Sequence, residues 1–249
     1  MKAVFRTDRG RVRKHNEDNG GVFTNQEGTF LAIVADGMGG HRAGDVASTL
    51  AVSKMKEAWD LKVSASTPDE EEKWLENSIN EVNNFLYKHA EENSECQGMG
   101  TTVVAAICSD KFVTIAHIGD SRIYLLNETG FKQLTEDHTL VNVLVKSGQI
   151  SKEDAEHHPR KNVILRALGT EQQVEMDIKT IVFEEGDMLL LCSDGLSNKV
   201  DDEEMERIIT SADTLEQKAD YFIKLANEYG GEDNITLILL EFDNESERG

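Results

Sequence analysis

Six strand-length apolar runs set the class of fold open to this chain. They cover positions 30–35, 102–108, 112–118, 123–126, 188–192 and 235–242, and Gly, Asp, Asn or Ser bounds each of them. A short apolar run with no polar alternate predicts a strand buried on both faces. None approaches the ~20 residues that a membrane-spanning helix needs. The chain must therefore provide two apolar surfaces for each strand, one on either side of its sheet.

The intervening sequence supplies helices. In 43–61, Val46, Ala47, Leu50, Ala51, Met55 and Ala58 share one helical face. The next helix opens at Thr67-Pro68-Asp69-Glu70, with Thr67 as N-cap, Pro68 at the first helical position and Glu70 closing a capping box. Leu75, Ile79, Val82 and Leu86 form its buried stripe, and the acids at 69–72 complement the helix dipole. Shorter helices are expected at 139–146 and 151–157, and a last one at 215–228 ends at Gly230-Gly231. Two long helices side by side break the alternation of a doubly wound fold, and the runs between 102 and 126 are spaced like antiparallel hairpin neighbours. The expected class is α+β, a sandwich of sheets covered by helices.

Composition narrows the function. Among 249 residues, 26 Lys and Arg face 47 Asp and Glu, a net charge of −21. Phosphate-rich nucleic acid and anionic membranes are repelled by such a chain. With 39% hydrophobic residues it is too apolar to be an acidic disordered tail. Cys96, Cys108 and Cys192 form no CxxC pair, and the latter two lie in apolar runs, so buried free thiols are expected. The N-terminus has no apolar leader, and the cytoplasm is the expected location. Only Pro68 and Pro159 occur and no linker divides the chain, so one domain and a monomer are expected.

Acids punctuate the runs. Asp36 follows the first, Asp120 the third and Asp194 the fifth; Asp233 precedes the last, and Asp18 lies in Asn-Glu-Asp-Asn near the N-terminus. One Asp-Gly is ordinary turn chemistry. Five such acids, if the strand ends converge, would need something positive between them. A hard divalent cation, Mg²⁺ or Mn²⁺, suits an all-oxygen set, and the Gly37 backbone is open enough for its carbonyl to join it. No HExxH or Cys/His cluster competes for a softer metal. Arg13, just ahead of Asp18, has the planar fork to grip phosphate oxygens.

Taken in order, these residues resemble the metal-dependent Ser/Thr protein phosphatases of type 2C (the PPM family), and most closely the compact bacterial branch that opposes eukaryotic-like Ser/Thr kinases. The likeness runs over the whole chain: Arg13 with Asn16-Glu17-Asp18, Asp36-Gly37-Met38-Gly39-Gly40-His41, Gly98-Met99-Gly100-Thr101-Thr102, Gly119-Asp120-Ser121-Arg122, Ser193-Asp194-Gly195 and Gly231-Glu232-Asp233-Asn234. It implies a four-layer α-β-β-α sandwich of two antiparallel sheets flanked by helices, as one catalytic domain over 1–242. A flap at about 146–168 and a short polar tail at 243–249 complete the chain.

The resemblance also implies a binuclear Mn²⁺ or Mg²⁺ centre. Asp36 bridges both ions, Asp18 and the Gly37 carbonyl complete one side, Asp194 and Asp233 the other, and Asp120 supports a third, weaker ion. Arg13 binds the substrate phosphate, and a metal-bridging hydroxide attacks phosphoserine or phosphothreonine directly. Animal members carry a His after the Asp-Gly where this chain has Met38, so either His41 or a metal-bound water protonates the leaving group. The implied partners are phosphoproteins and a Ser/Thr kinase as functional counterpart.

His157-His158 is expected on a polar face of the flap, His117 as a satisfied buried histidine, and Trp59 and Trp74 in helix packing, while His15 and His138 stay open. The rival readings are a metal-dependent nuclease, disfavoured by the charge, a metal-free binding module, disfavoured by the complete acid set, and a dedicated stress regulator, disfavoured by the lack of a sensor domain.

Overall fold

The computed structural model describes residues 1–25, 28–39, 43–62 and 67–243. Among the described residues, eleven strands and seven α-helices follow one another along the chain. β1 (Lys2–Asp8), β2 (Asp18–Thr24) and β3 (Phe30–Met38) lead into the long helices α1 (Ala43–Asp60) and α2 (Pro68–Glu92). A block of strands comes next: β4 (Gly100–Thr101), β5 (Val103–Cys108), β6 (Phe112–Ile118), β7 (Arg122–Asn127) and β8 (Gly130–Gln133). Two short helices, α3 (Leu140–Lys146) and α4 (Lys152–Glu156), precede β9 (Asp177–Val182) and β10 (Met188–Cys192). Helices α5 (Asp194–Ser197), α6 (Asp202–Ile209) and α7 (Leu215–Glu228) lead to the last strand, β11 (Ile235–Glu241).

The strands form two sheets, one ordered β1-β11-β10-β7-β8 and the other β2-β3-β5-β6-β9 with β4 against β3. Every pairing is antiparallel. The doubly apolar strands explain the layering. Along β3, Ala32 and Val34 face the other sheet, while Leu31, Ile33 and Ala35 pack under Met55, Trp59, Leu75 and Ile79 of α1 and α2. Along β11, Ile238 and Leu240 face inward, while Leu237 and Leu239 pack under Phe222 and Ala226 of α7. Alternate side chains thus enter two different cores, which is what period-two geometry requires of a continuous apolar strand. The result is the four-layer sandwich expected from the sequence.

Two expectations need correction. β5 and β6 are hairpin partners, but β6 and β7 lie in different sheets, so the chain crosses the sandwich through Gly119-Asp120-Ser121. The short gap signalled a turn, and it is a turn between layers. Within the acidic run at 69–72, Glu71 does more than complement a dipole: it is buried and ion-paired with buried Lys62 at 2.9 Å, beside Trp59 and Trp74. The helix ends follow the sequence closely. Thr67 N–H and Oγ1 both donate to Glu70, Asp154 N–H donates to Ser151 Oγ, and α7 stops before Gly230 and Gly231. All three cysteines are buried. Of the tail, Asp243 pairs with Lys2, and 244–249 lie outside the described residues.

Leu191 sits fully buried between the sheets. Leu191→Ala should lower unfolding free energy by about 2–5 kcal/mol in a urea titration. An unchanged midpoint would contradict the inter-sheet core.

Candidate metal centre

Antiparallel register brings the acids to one end of the sandwich. Asp18 opens β2 and lies directly opposite Asp36 on β3, so both side chains point to the same face, that of the inter-sheet core residues Ala32 and Val34. Asp36 lies inside β3 rather than after it, because β4 pairs with the strand's last residues through Gly37↔Thr101 and Met38↔Gly100. Asp120 sits in the crossing between sheets. Asp194 begins α5 directly after β10, and Asp233 precedes β11, which pairs with β10.

Backbone contacts fix these positions. Thr101 Oγ1 and Thr102 N–H both donate to the Asp36 carbonyl, and Asp36 N–H donates to Thr102 Oγ1 at 3.0 Å. Thr102 Oγ1 also meets Ser121 Oγ at 2.7 Å, beside Asp120. The Gly98–Thr102 motif therefore clamps Asp36 to the Asp120 crossing. Gly37 and Gly44 touch backbone to backbone, and a Cβ on either would collide with the other. Ser193 Oγ donates to Asp18 Oδ2 at 2.7 Å, tying the two sheets together at the site.

The charges are poorly balanced. Asp18 Oδ1, Asp120 Oδ1 and Asp194 Oδ1 are buried without a hydrogen-bond partner among the described residues. Burial, reinforced by Asp194 and Asp233, lifts the Asp18 carboxyl to about 7 against the hydrogen bond from Ser193. Burial and the Asp194 charge likewise lift Asp120 to about 7, and burial and Asp233 lift Asp194 to about 6. Asp36 is raised well above 3.8 by burial and by its four acidic neighbours, Asp18, Asp194, Asp120 and Asp233. The nearby cations are engaged. Arg13 Nη2 donates to Asp233 Oδ2 at 2.7 Å, and Arg122 makes a forked pair with Asp137. A buried all-oxygen set with orphaned lone pairs and a surplus of negative charge fits hard divalent cations.

His117 and His138 brace Asp120 from behind. His117 Nε2 donates to the Gly119 carbonyl at 2.9 Å, and Gly119 N–H donates to His138 Nδ1 at 3.2 Å. His117 is thus only half satisfied, because its buried Nδ1 has no partner among the described residues. With Asp177 these histidines come close enough to suggest a second metal site. The hydrogen bonds argue otherwise. His138 Nδ1 accepts the hydrogen bond from Gly119 N–H, and Nε2 is already taken up by Asp177 Oδ2 at 3.3 Å and Arg166 Nη1 at 3.2 Å. A metal on that nitrogen would have to displace the Arg166 guanidinium, which also pairs with Asp177 and Glu175.

The other singled-out residues fall into place. His15 is exposed, as is His157 at the end of α4. Trp59 is fully buried and meets Trp74 edge to face at 5.2 Å. His41 lies outside the described residues. Sequence reasoning missed Asn234, whose buried amide donates to the carbonyls of Arg9 and His15 while its Oδ1 accepts from Glu17 N–H. Its signal was the Asp-Asn pair ahead of a strand, which reads equally as a turn. A groove of about 720 Å³ runs from Asp120 and Asp194 between α5 and the side chains Val145, Lys152 and His157.

A family model described as Protein phosphatase 2C matches residues 8–236. The chain is 56% identical over 243 residues to the serine/threonine phosphatase stp of Listeria monocytogenes, covering 98% of this chain and 96% of that one. The crystal structure of the serine/threonine phosphatase Stp1 from Staphylococcus aureus superposes with a TM-score of 0.93 at 40% identity, covering 98% of this chain and 96% of that one. The catalytic domain of the serine threonine protein phosphatase PstP, in complex with two manganese ions, gives 0.85 at 34% identity, with 98% of each chain covered.

Each raised carboxyl binds its proton more tightly folded than unfolded. Its stabilising contribution is complete below about pH 4 and is lost as pH rises through about 6 to 7. The melting temperature in chelator should therefore fall between about pH 5 and about pH 8, and Mn²⁺ should remove most of that fall. A chelated protein that melts higher at the upper pH would contradict this electrostatic reading.

Proposed function

The chain belongs to the protein phosphatase 2C family, in its compact bacterial form, and is a serine/threonine phosphatase; we propose that it acts on phosphoserine and phosphothreonine of proteins at the carboxylate cluster. In this reading Asp36, Asp18 and the Gly37 carbonyl would hold one Mn²⁺ or Mg²⁺ ion, Asp36, Asp194 and Asp233 a second, and Asp120 would support a third, weaker ion. The observation that carries it is the set of orphaned, buried carboxylate oxygens at one end of the sandwich.

Bound divalent ions supply an acidified water and positive charge for the phosphoryl oxygens. The chain's own residues do the rest. Asp18 and Asp36, held by Ser193 and the Thr101-Thr102 clamp, keep the donor set rigid. Arg13 already reaches the cluster, and its fork turns from Asp233 to the substrate phosphate. Transfer goes to water without a phosphoenzyme. The cysteines are buried, and burial pushes the Cys108 and Cys192 thiols up to about 12, so neither is a nucleophile. His41 is the candidate donor of the leaving-group proton, with water held at the metal centre as the alternative.

The flap groove beside Asp120 gives room for the polypeptide around the phosphorylated residue. The functional counterpart is a Ser/Thr protein kinase, and the enzyme works as a cytoplasmic monomer with residues 1–242 as one catalytic domain. No helix among the described residues is long and apolar enough to cross a membrane.

Phosphate release from a phosphothreonine peptide should depend on Mn²⁺ and stop with chelator. Asp36→Asn and Asp233→Asn should each lower kcat by about 10²-fold or more. Arg13→Ala should act mainly on KM. Full turnover by either Asp variant at saturating Mn²⁺ would overturn the site, and an unchanged KM would remove Arg13 from phosphate binding.

A further inference from the structure

Cations gather against the centre's edge in a chain whose overall charge is −21. The segment Arg9-Gly-Arg-Val-Arg-Lys-His15 carries Arg9, Arg11, Arg13 and Lys14 within six residues. Arg13 is engaged with Asp233. Arg9, Arg11 and Lys14 are exposed and make no ion pair among the described residues. Two acids beside the segment are already bonded: Asp8 Oδ1 accepts from Gly10 N–H and Asn227, and Glu232 pairs with Lys199.

The arm is also fixed in place. The Asn234 amide holds the carbonyls of Arg9 and His15, at 2.8 and 3.0 Å. Arg11 and Val12 N–H both donate to the Gly231 carbonyl, and a Cβ at Gly10 would run into the carbonyl of Asp233. The backbone of the arm therefore lies directly on the turn that carries Asp233. All these bonds are made by backbone atoms of the arm, which leaves the Arg9, Arg11 and Lys14 side chains free to face solvent. An arm whose shape is set without its charges has its charges available for a partner.

We propose that Arg9, Arg11 and Lys14 form a docking surface for acidic residues on one side of the phosphorylated Ser or Thr, so that the enzyme selects phosphoproteins with acidic flanks on that side. This deepens the reading above and rests on it. A net charge of −21 disfavours acidic substrates at long range. Within a Debye length of roughly 10 Å the local cations dominate, and a substrate phosphate held by Arg13 brings its flanking residues inside that range. The flap groove on the far side of Asp120 carries both signs of charge, including Lys152, Glu156, Lys161 and Asp201. It offers acids no comparable advantage, so the preference is one-sided.

The test compares kcat/KM at low salt for three phosphothreonine peptides, one neutral, one with three Glu N-terminal to the phosphoresidue and one with three Glu C-terminal to it. One acidic peptide should exceed the neutral one by about three- to tenfold, the range for a few exposed ion pairs, and added salt should erase the gain. In the combined variant Arg9→Gln, Arg11→Gln and Lys14→Gln, the gain should vanish while hydrolysis of para-nitrophenyl phosphate and of the neutral peptide stays as in wild type. Two acidic peptides no better than the neutral one, or a gain that survives in the variant, would overturn the proposal. So would salt-sensitive binding to phosphatidylserine vesicles that the variant alone loses, if peptide preference is unchanged. Failure to hydrolyse even the neutral peptide with Mn²⁺ would instead overturn the phosphatase reading beneath it.

Discussion

Mutual repulsion among carboxylates held at one end of the sandwich is the constraint around which the rest of the molecule is arranged. Asp18 and Asp36 face the same way because their strands are in register, and Asp194 and Asp233 follow from the pairing of β10 with β11. Asp18 and Asp36 cannot separate without breaking the β2–β3 ladder. Burial and proximity raise the Asp18, Asp36, Asp120 and Asp194 carboxyls above their ordinary range, so the cluster either keeps protons or takes up cations. The two cores on either side of each sheet supply the stiffness that holds so unfavourable an arrangement.

Much of this was legible in the sequence, for reasons specific to the residues. A strand such as 235–242, apolar at both parities, fits only a layer covered on both sides, so the sandwich could be read from pattern alone. The acids stood out because they sit beside long apolar runs. Less visible was which sheet each strand joins. The 119–121 turn looks like a hairpin, and only tertiary packing makes it a crossing between layers. β2 was hidden because Asp18-Asn-Gly-Gly has low strand propensity, yet β3 recruits it by pairing.

The supporting residues were harder still. Thr101, Thr102, Ser121, Ser193 and Asn234 are small polar residues that suit any turn, and their roles come from partners far away in sequence. Ser193 reaches Asp18 across 175 positions and Asn234 reaches Arg9 across 225. Glu71 and Lys62 show the same limit in the helical layer, where two charges that read as surface form a buried pair. Net charge misled in a similar way. As an average it hides the cationic arm, because an electrostatic partner responds to the field within a Debye length rather than to the total.

Proton release on metal binding tests the electrostatic account most directly. Carboxyls lifted to about 6 and about 7 hold protons in the metal-free protein near pH 6, and divalent cations must displace them. Titration of chelator-treated protein with Mn²⁺ in weak buffer at about pH 6 should release protons along with metal uptake. The share released by the carboxyls should fall between about pH 6 and about pH 8, and the yield at about pH 6 should shrink in Asp18→Asn. Metal uptake with no proton release at the lower pH, or no uptake at either, would contradict the central claim.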